Sequence, residues 1–146
     1  MHAGLVFLLL TVATPSFAAS DYAREKKWAD EITPAIVVGE PVYLQQKNKH
    51  KFLALYTQAP KASMGVVVVH GMGIHPDWGM IGTLRHRLAE QGYTTLSIQM
   101  PVLGNEHKGD AYRQTFPEAA ERLQLAVDYL KAKGYKHIAL VSHSMG

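Results

Sequence analysis

Four consecutive valines, Val66 to Val69, follow Gly65 and run directly into His70-Gly71-Met72-Gly73. A β-branched run with no alternation has no polar face to offer water. It fits a strand covered on both sides, as in a parallel sheet flanked by helices. The sequence beyond it keeps the same grammar. Asp77 is placed to cap a helix in which Ile81, Leu84 and Leu88 recur at helical spacing, and Gly92 stops it. Thr94 to Met100 reads as the next strand, ended by Pro101. Thr115-Phe116-Pro117-Glu118 has the spacing of a capping box. The helix it opens carries Phe116, Ala119, Leu123, Ala126, Val127 and Leu130 on one face and ends at Gly134. Ile138 to Val141 is a further short apolar strand. Strand, helix, strand, helix, strand in that order gives a mostly parallel α/β sheet.

The segment before Gly65 reads differently. Asp21 to Glu31 is charged and predicts a short surface helix closed by Pro34. Ile36 to Gln45 and Phe52 to Gln58 predict an antiparallel hairpin, joined by the polar stretch Gln46 to Lys51. Gly39 and Pro41 interrupt the first of these strands and assign it to a sheet edge.

Composition sets the outer limits. With 146 residues, 47% hydrophobic and 18% charged, the chain suffices for one folded domain with one core. The net charge of +3 comes from scattered basic residues. The densest group, Lys47, Lys49 and Lys51, falls on the hairpin turn with no interleaved aromatics, so no nucleic-acid partner is expected. There is no cysteine, hence no disulfide framework and no lipid-modified cysteine. Leu5 to Val12 is an apolar segment followed by Pro15 and Ser16-Phe17-Ala18-Ala19. This is the layout of a secretory signal, too short to span a bilayer, with cleavage expected after Ala18. Its leading residues lack lysine and arginine, which departs from the usual pattern. The expected divisions are a signal at 1–18, a surface segment at 19–35 and an α/β domain at 36–146. The mature protein is then periplasmic or secreted, with no stable membrane span.

The last strand runs into Ser142-His143-Ser144-Met145-Gly146. A buried strand followed by small-x-Ser-x-Gly matches a tight strand-to-helix turn that lifts a serine hydroxyl clear of the backbone. Ser144 is therefore the candidate nucleophile, set against the alternative that Ser142 and Ser144 merely cap a following helix. Gly146 supplies the small flank such a turn needs, while Ser142 stands where glycine is usual. The turn His70 to Gly73 belongs to the same rim of the sheet, beyond the carboxyl ends of the strands. Glycine there leaves main-chain N–H groups accessible, and two such groups can hold a developing oxyanion. Met72 and Met145 are the candidate donors through their backbone N–H. His70, Gly71, Gly73 and Gly146 are expected to support the site, His70 as a structural histidine at the strand end. The eight histidines show no zincin spacing, so no metal is expected. His75, His107 and His143 lie near the rim, but none is placed by the sequence to act as the base.

From about Val37 to Gly146 this layout resembles the α/β-hydrolase superfamily, in its uncharacterised or lipase-like bacterial branches. The resemblance implies an oxyanion hole formed by the two turns and a triad in the order Ser, acid, His. Only the serine maps here, so the chain is expected to be a partial domain ending at the elbow. Alone it should be unstable or aggregated and without esterase activity. The complete protein is expected to be an exported serine hydrolase cleaving an ester, thioester or amide bond. Its substrate would be small or lipid-like and acylated, no cofactor would be required, and the loop Val102 to Gln114 would face it. Two alternatives remain at this level. One is a non-catalytic envelope protein on the same scaffold. The other is a dinucleotide-binding domain, for which Gly71-Met72-Gly73-Ile74-His75-Pro76 nearly fits but fails at Pro76. That reading also lacks an acidic residue at Gln99.

Overall fold

The computed structural model describes residues 20–146. The signal segment expected at 1–18 lies outside the described residues. Helix α1 (Tyr22–Ile32) leads through a short 3-10 turn at Thr33–Ala35 into strands β1 (Glu40–Gln45), β2 (Lys51–Thr57) and β3 (Met64–Val69). Helix α2 (Gly79–Glu90), strand β4 (Thr94–Ile98), helix α3 (Phe116–Ala132) and strand β5 (His137–Ser142) follow.

The five strands form one sheet in the order β1-β2-β4-β3-β5. The β1–β2 hairpin is antiparallel, β2 joins β4 antiparallel, and β3 lies parallel to both β4 and β5. This is the mixed sheet of a partial α/β-hydrolase fold, as the sequence predicts. The valine run lies at its centre and is buried on both faces. Val66 and Val68 pack with Ile81, Leu84 and Leu88 of α2, while Val67 and Val69 pack with Ala126 and Leu130 of α3. Each buried valine contributes roughly 1.5–3 kcal/mol of hydrophobic stabilisation, upper figures because real unfolded chains are partly collapsed. Leu53 and Leu55 of β2 pack against Ala29 of α1.

Several local expectations are corrected. Strand β1 begins at Glu40, not Ile36. Gly39 turns there with φ +83°, and a side chain would press on the Tyr56 carbonyl at 2.6 Å. Asp77 does not cap α2, whose N-cap position is Trp78. Its carboxylate instead meets buried Arg85 at 2.7 Å, and Arg85 also donates to the Val38 carbonyl and the Thr57 hydroxyl. The capping box at α3 is absent. Thr115 already has helical backbone angles because the loop enters through a 3-10 segment at Gly109–Thr115, and its hydroxyl donates to the Tyr112 carbonyl. Half of the expected open loop is thus ordered helix. Phe116 is 52% exposed rather than part of the core.

The face of α3 also carries Arg122, which is fully buried. It donates to Glu25 Oε2 and to the Gln99 carbonyl, both at 3.0 Å, and to Glu118 Oε1 at 2.6 Å. Gln46 accepts from its Nε at 3.0 Å, and the guanidinium lies 4.8 Å from the Phe52 ring centroid. Burial pushes the Glu25 carboxyl up, against the pull of Arg122 and His50. Glu118 also feels burial, but hydrogen bonds from Ser20 and the nearby Arg122 bring it below the ordinary range. One buried cation thereby ties α1, the hairpin, β4 and α3 together.

Candidate active site

The parallel pairing of β3 with β5 runs to Val69 opposite Ser142, so both strands end at the same rim. The ladder is extended by one bond from the His143 N–H to the Val69 carbonyl at 3.1 Å. The chain then turns sharply, closed by Gly146 N–H on the His143 carbonyl at 3.1 Å. Ser144 sits in this turn with φ +59°, a left-handed conformation that costs a non-glycine residue about 1 kcal/mol or more. Gly146 is required by space: a Cβ there would lie 2.8 Å from the Val69 carbonyl oxygen and 2.9 Å from that of His70. Ser144 is exposed, and its hydroxyl makes no hydrogen bond among the described residues.

The glycine-rich turn after β3 lies directly against it. A Cβ on Gly71 would fall 2.9 Å from Ser144 Cβ and 3.4 Å from Ser144 Oγ. Gly71, Met72, Met145 and Gly146 border one cavity of about 30 Å³, room for about one water-sized group. His70, Met100 and Phe116 complete much of its wall. The backbone N–H groups of Met72 and Met145 have no acceptor among the described residues. Gly73 continues the turn with φ +72°. A much larger cleft of about 550 Å³, between α1 and the hairpin, shares no lining residue with this cavity.

His70 is buried and its tautomer is dictated by its neighbours. The Met100 backbone N–H, which can only donate, points at Nε2 at 2.9 Å. The remaining proton therefore sits on Nδ1 and is donated to the Gly71 carbonyl at 2.7 Å. Full burial pulls the imidazole down to about 4, outweighing the contact with the Gly71 carbonyl, with His75 and Arg122 acting in the same direction as burial. This bond matters for the turn because the Gly71–Met72 peptide is planar and trans. Fixing its carbonyl on His70 points the Met72 N–H the opposite way. Gln99 adds its side-chain amide within 3.0 Å of His70 Nε2 and 2.8 Å of the Met100 carbonyl.

The other histidines are engaged elsewhere. His75 accepts from Asp77 N–H at 3.3 Å and lies tilted against Trp28, 5.7 Å between ring centroids. His107 meets Glu106 at 3.1 Å. No histidine among the described residues hydrogen-bonds Ser144. Sequence reasoning missed Gln99, Arg122 and Phe116 as neighbours of the site. A polar residue closing an otherwise buried strand was the available signal for Gln99.

A family model described as "Protein of unknown function (DUF3530)" matches residues 40–118, more than half of the chain. The chain belongs to this family. No curated protein matches the sequence. Among solved structures, the chain is similar to Est1E from Butyrivibrio proteoclasticus with ferulic acid bound, at 22% identity and TM-score 0.59, over 72% of this chain and 43% of that one. The Pyrococcus furiosus esterase Pf2001 is similar at 18% identity and TM-score 0.57, over 73% and 42%. A soluble variant of monoglyceride lipase from Saccharomyces cerevisiae is similar at 20% identity and TM-score 0.55, over 76% and 38%. At these identities the likeness establishes the α/β-hydrolase fold of this DUF3530 protein and nothing finer. The chain spans well under two thirds of the length of each.

Proposed function

We propose that the full-length protein is a serine hydrolase with Ser144 as its nucleophile. The observation that carries this reading is the left-handed Ser144, φ +59°, held with a free hydroxyl against Gly71. A strained serine is expected where its position matters more than its backbone energy. In the reaction, Ser144 Oγ bonds to the substrate carbonyl carbon as the carbonyl oxygen takes up negative charge. The N–H groups of Met72 and Met145 would receive that oxygen in the adjoining cavity. The bond to the leaving group then breaks, leaving an acyl-serine for water to hydrolyse. A histidine and an acid from outside this chain would move the protons. The substrate class is an ester, thioester or amide of a small or lipid-like acyl group. The fold kinship with esterases and a lipase supports this reading.

Turnover of p-nitrophenyl butyrate by the full-length protein tests it. Ser144→Ala should lower kcat by at least roughly 10³-fold while leaving the unfolding midpoint within a few degrees. Retained turnover in that variant would overturn the assignment. Export belongs to the same reading and rests on the Leu5–Ala18 pattern. N-terminal sequencing of the mature protein from a periplasmic or culture fraction should begin at Ala19. An intact Met1 terminus in the cytoplasmic fraction would contradict it.

A further inference from the structure

Met72 borders a second cleft, of about 230 Å³, whose other walls include Arg24 of α1, Gly73 and the loop residues Asn105, His107 and Lys108. Two cationic side chains, Arg24 and Lys108, line it. Arg24 is positioned twice over: its Nη1 donates to the Leu103 carbonyl at 2.7 Å, and its guanidinium lies 4.5 Å from the Trp28 ring centroid. That single bond leaves most of its five N–H groups uncommitted. Neither Arg24 nor Lys108 has a side-chain carboxylate partner among the described residues. The nearby acids are already engaged, Glu106 with His107 at 3.1 Å, Asp110 with Arg113 at 3.0 Å, and Asp21 with the Arg24 backbone N–H at 2.9 Å. Tyr112, only 2% exposed, also lines the cleft. Its hydroxyl accepts from Leu103 N–H at 3.1 Å, and its own hydrogen reaches no acceptor among the described residues.

We infer that this cleft is a subsite for an oxyanion, a carboxylate or phosphate, carried by the substrate a few bonds from the carbonyl that Ser144 attacks. The inference rests on the serine-hydrolase reading for its place in catalysis. A guanidinium already held near an indole and on a main-chain carbonyl loses little freedom when it pairs with a planar or tetrahedral oxyanion. An adjacent lysine adds attraction that salt will screen. The two cations sit beside the same turn that offers Met72 N–H, so an anion bound there would orient the scissile carbonyl toward Ser144.

The test compares matched esters on the full-length protein: neutral, ending in a carboxylate, and ending in a phosphate, with the charge on the acyl side in one series and the alcohol side in another. In at least one series the charged ester should show a kcat/KM about 10-fold or more above its neutral partner at low salt. Arg24→Gln and Lys108→Gln should each reduce that advantage, and the double variant should remove it, with neutral-ester turnover unchanged. The charged series that responds identifies carboxylate or phosphate as the group recognised. Ser144-dependent turnover with no preference for charge, or a preference untouched by both variants, overturns the subsite and leaves the hydrolase reading standing. Absence of turnover on every ester is the failure of the hydrolase reading. In that case inorganic phosphate binding, followed by ³¹P line broadening, decides the subsite. Binding lost in Arg24→Gln supports it, and no binding overturns it.

Discussion

At the residue scale, the site depends on two places where a side chain or its absence is fixed by contact. Gly71 faces Ser144 so closely that a methyl group would displace it, since the nearest atom is Ser144 Cβ at 2.9 Å. Gly71→Ala should therefore lower kcat on p-nitrophenyl butyrate by roughly 100-fold, with KM changed far less, because the serine and the Met72 N–H move apart. His70 makes a pH prediction. Its folded value is about 4 against 6.5 for a free histidine, so the unfolded chain binds the extra proton between those values. Stability from this residue is fully present above about pH 6.5 and is lost as pH falls toward 4. The loss is about 2 kcal/mol between pH 7 and pH 5. Urea unfolding at those two pH values should show His70→Gln losing less than the parent over the same interval. His75 and His86 shift downward too, through burial, and remain in both proteins.

Much of this was legible in the residues themselves. Glycine at 71 and 146 marks turns whose close contacts leave no room for a side chain, and serine at 144 stands out because the backbone there would suit glycine better. The structural role of His70 could be anticipated from its place at a strand end. Its partners could not, because Met100 N–H and Gln99 lie just past the end of β4, 29 residues or more away, and only the sheet register brings them together.

At the scale of elements, periodicity served well where apolar packing decides structure and failed where a buried charge does. Ile81, Leu84 and Leu88 line one face of α2 as their spacing requires. The reading of Asp77 as a cap and of Thr115 with Glu118 as a capping box failed for a shared reason. Asp77 and Glu118 answer to arginines, Arg85 and Arg122, that the fold buries. A desolvated guanidinium left without a carboxylate costs more than an uncapped exposed helix end. Nothing in the periodicity of α3 marks Arg122 as buried rather than solvated. Arg122→Met should therefore cost about 3–5 kcal/mol, since it leaves Glu25 buried with His50 as its remaining side-chain partner. The double variant Arg122→Met with Glu25→Gln should recover part of that loss, as read by denaturant midpoints. Independent additivity of the two changes would show that the pair is not coupled.

At the scale of the molecule, the valine run of β3 organises everything else. Flanked by β4 and β5 and covered by α2 and α3, it places the His70–Gly73 and Ser142–Gly146 turns at one rim. That arrangement follows from the strand–helix alternation, and so the fold class was readable from sequence. The strand order and the entry of β2 beside β4 were not, because antiparallel partners carry no mark of which edge they join. Strand β5 pairs with β3 alone among the described strands and exposes Leu140, 52% accessible, along an open edge. An exposed apolar edge templates association. The 146-residue chain expressed by itself should elute as oligomers in light-scattering chromatography, and Leu140→Lys should shift it toward monomer. A monomeric, cooperatively folding parent chain would show that this edge is tolerated.

The most direct measurement is covalent labelling of the full-length protein with a fluorophosphonate, followed by peptide mass spectrometry. A single adduct on Ser144, absent in Ser144→Ala and weakened in Gly71→Ala, is the expected result. An adduct on another serine, or an unlabelled but correctly folded protein, would contradict the assignment of this turn as the seat of catalysis.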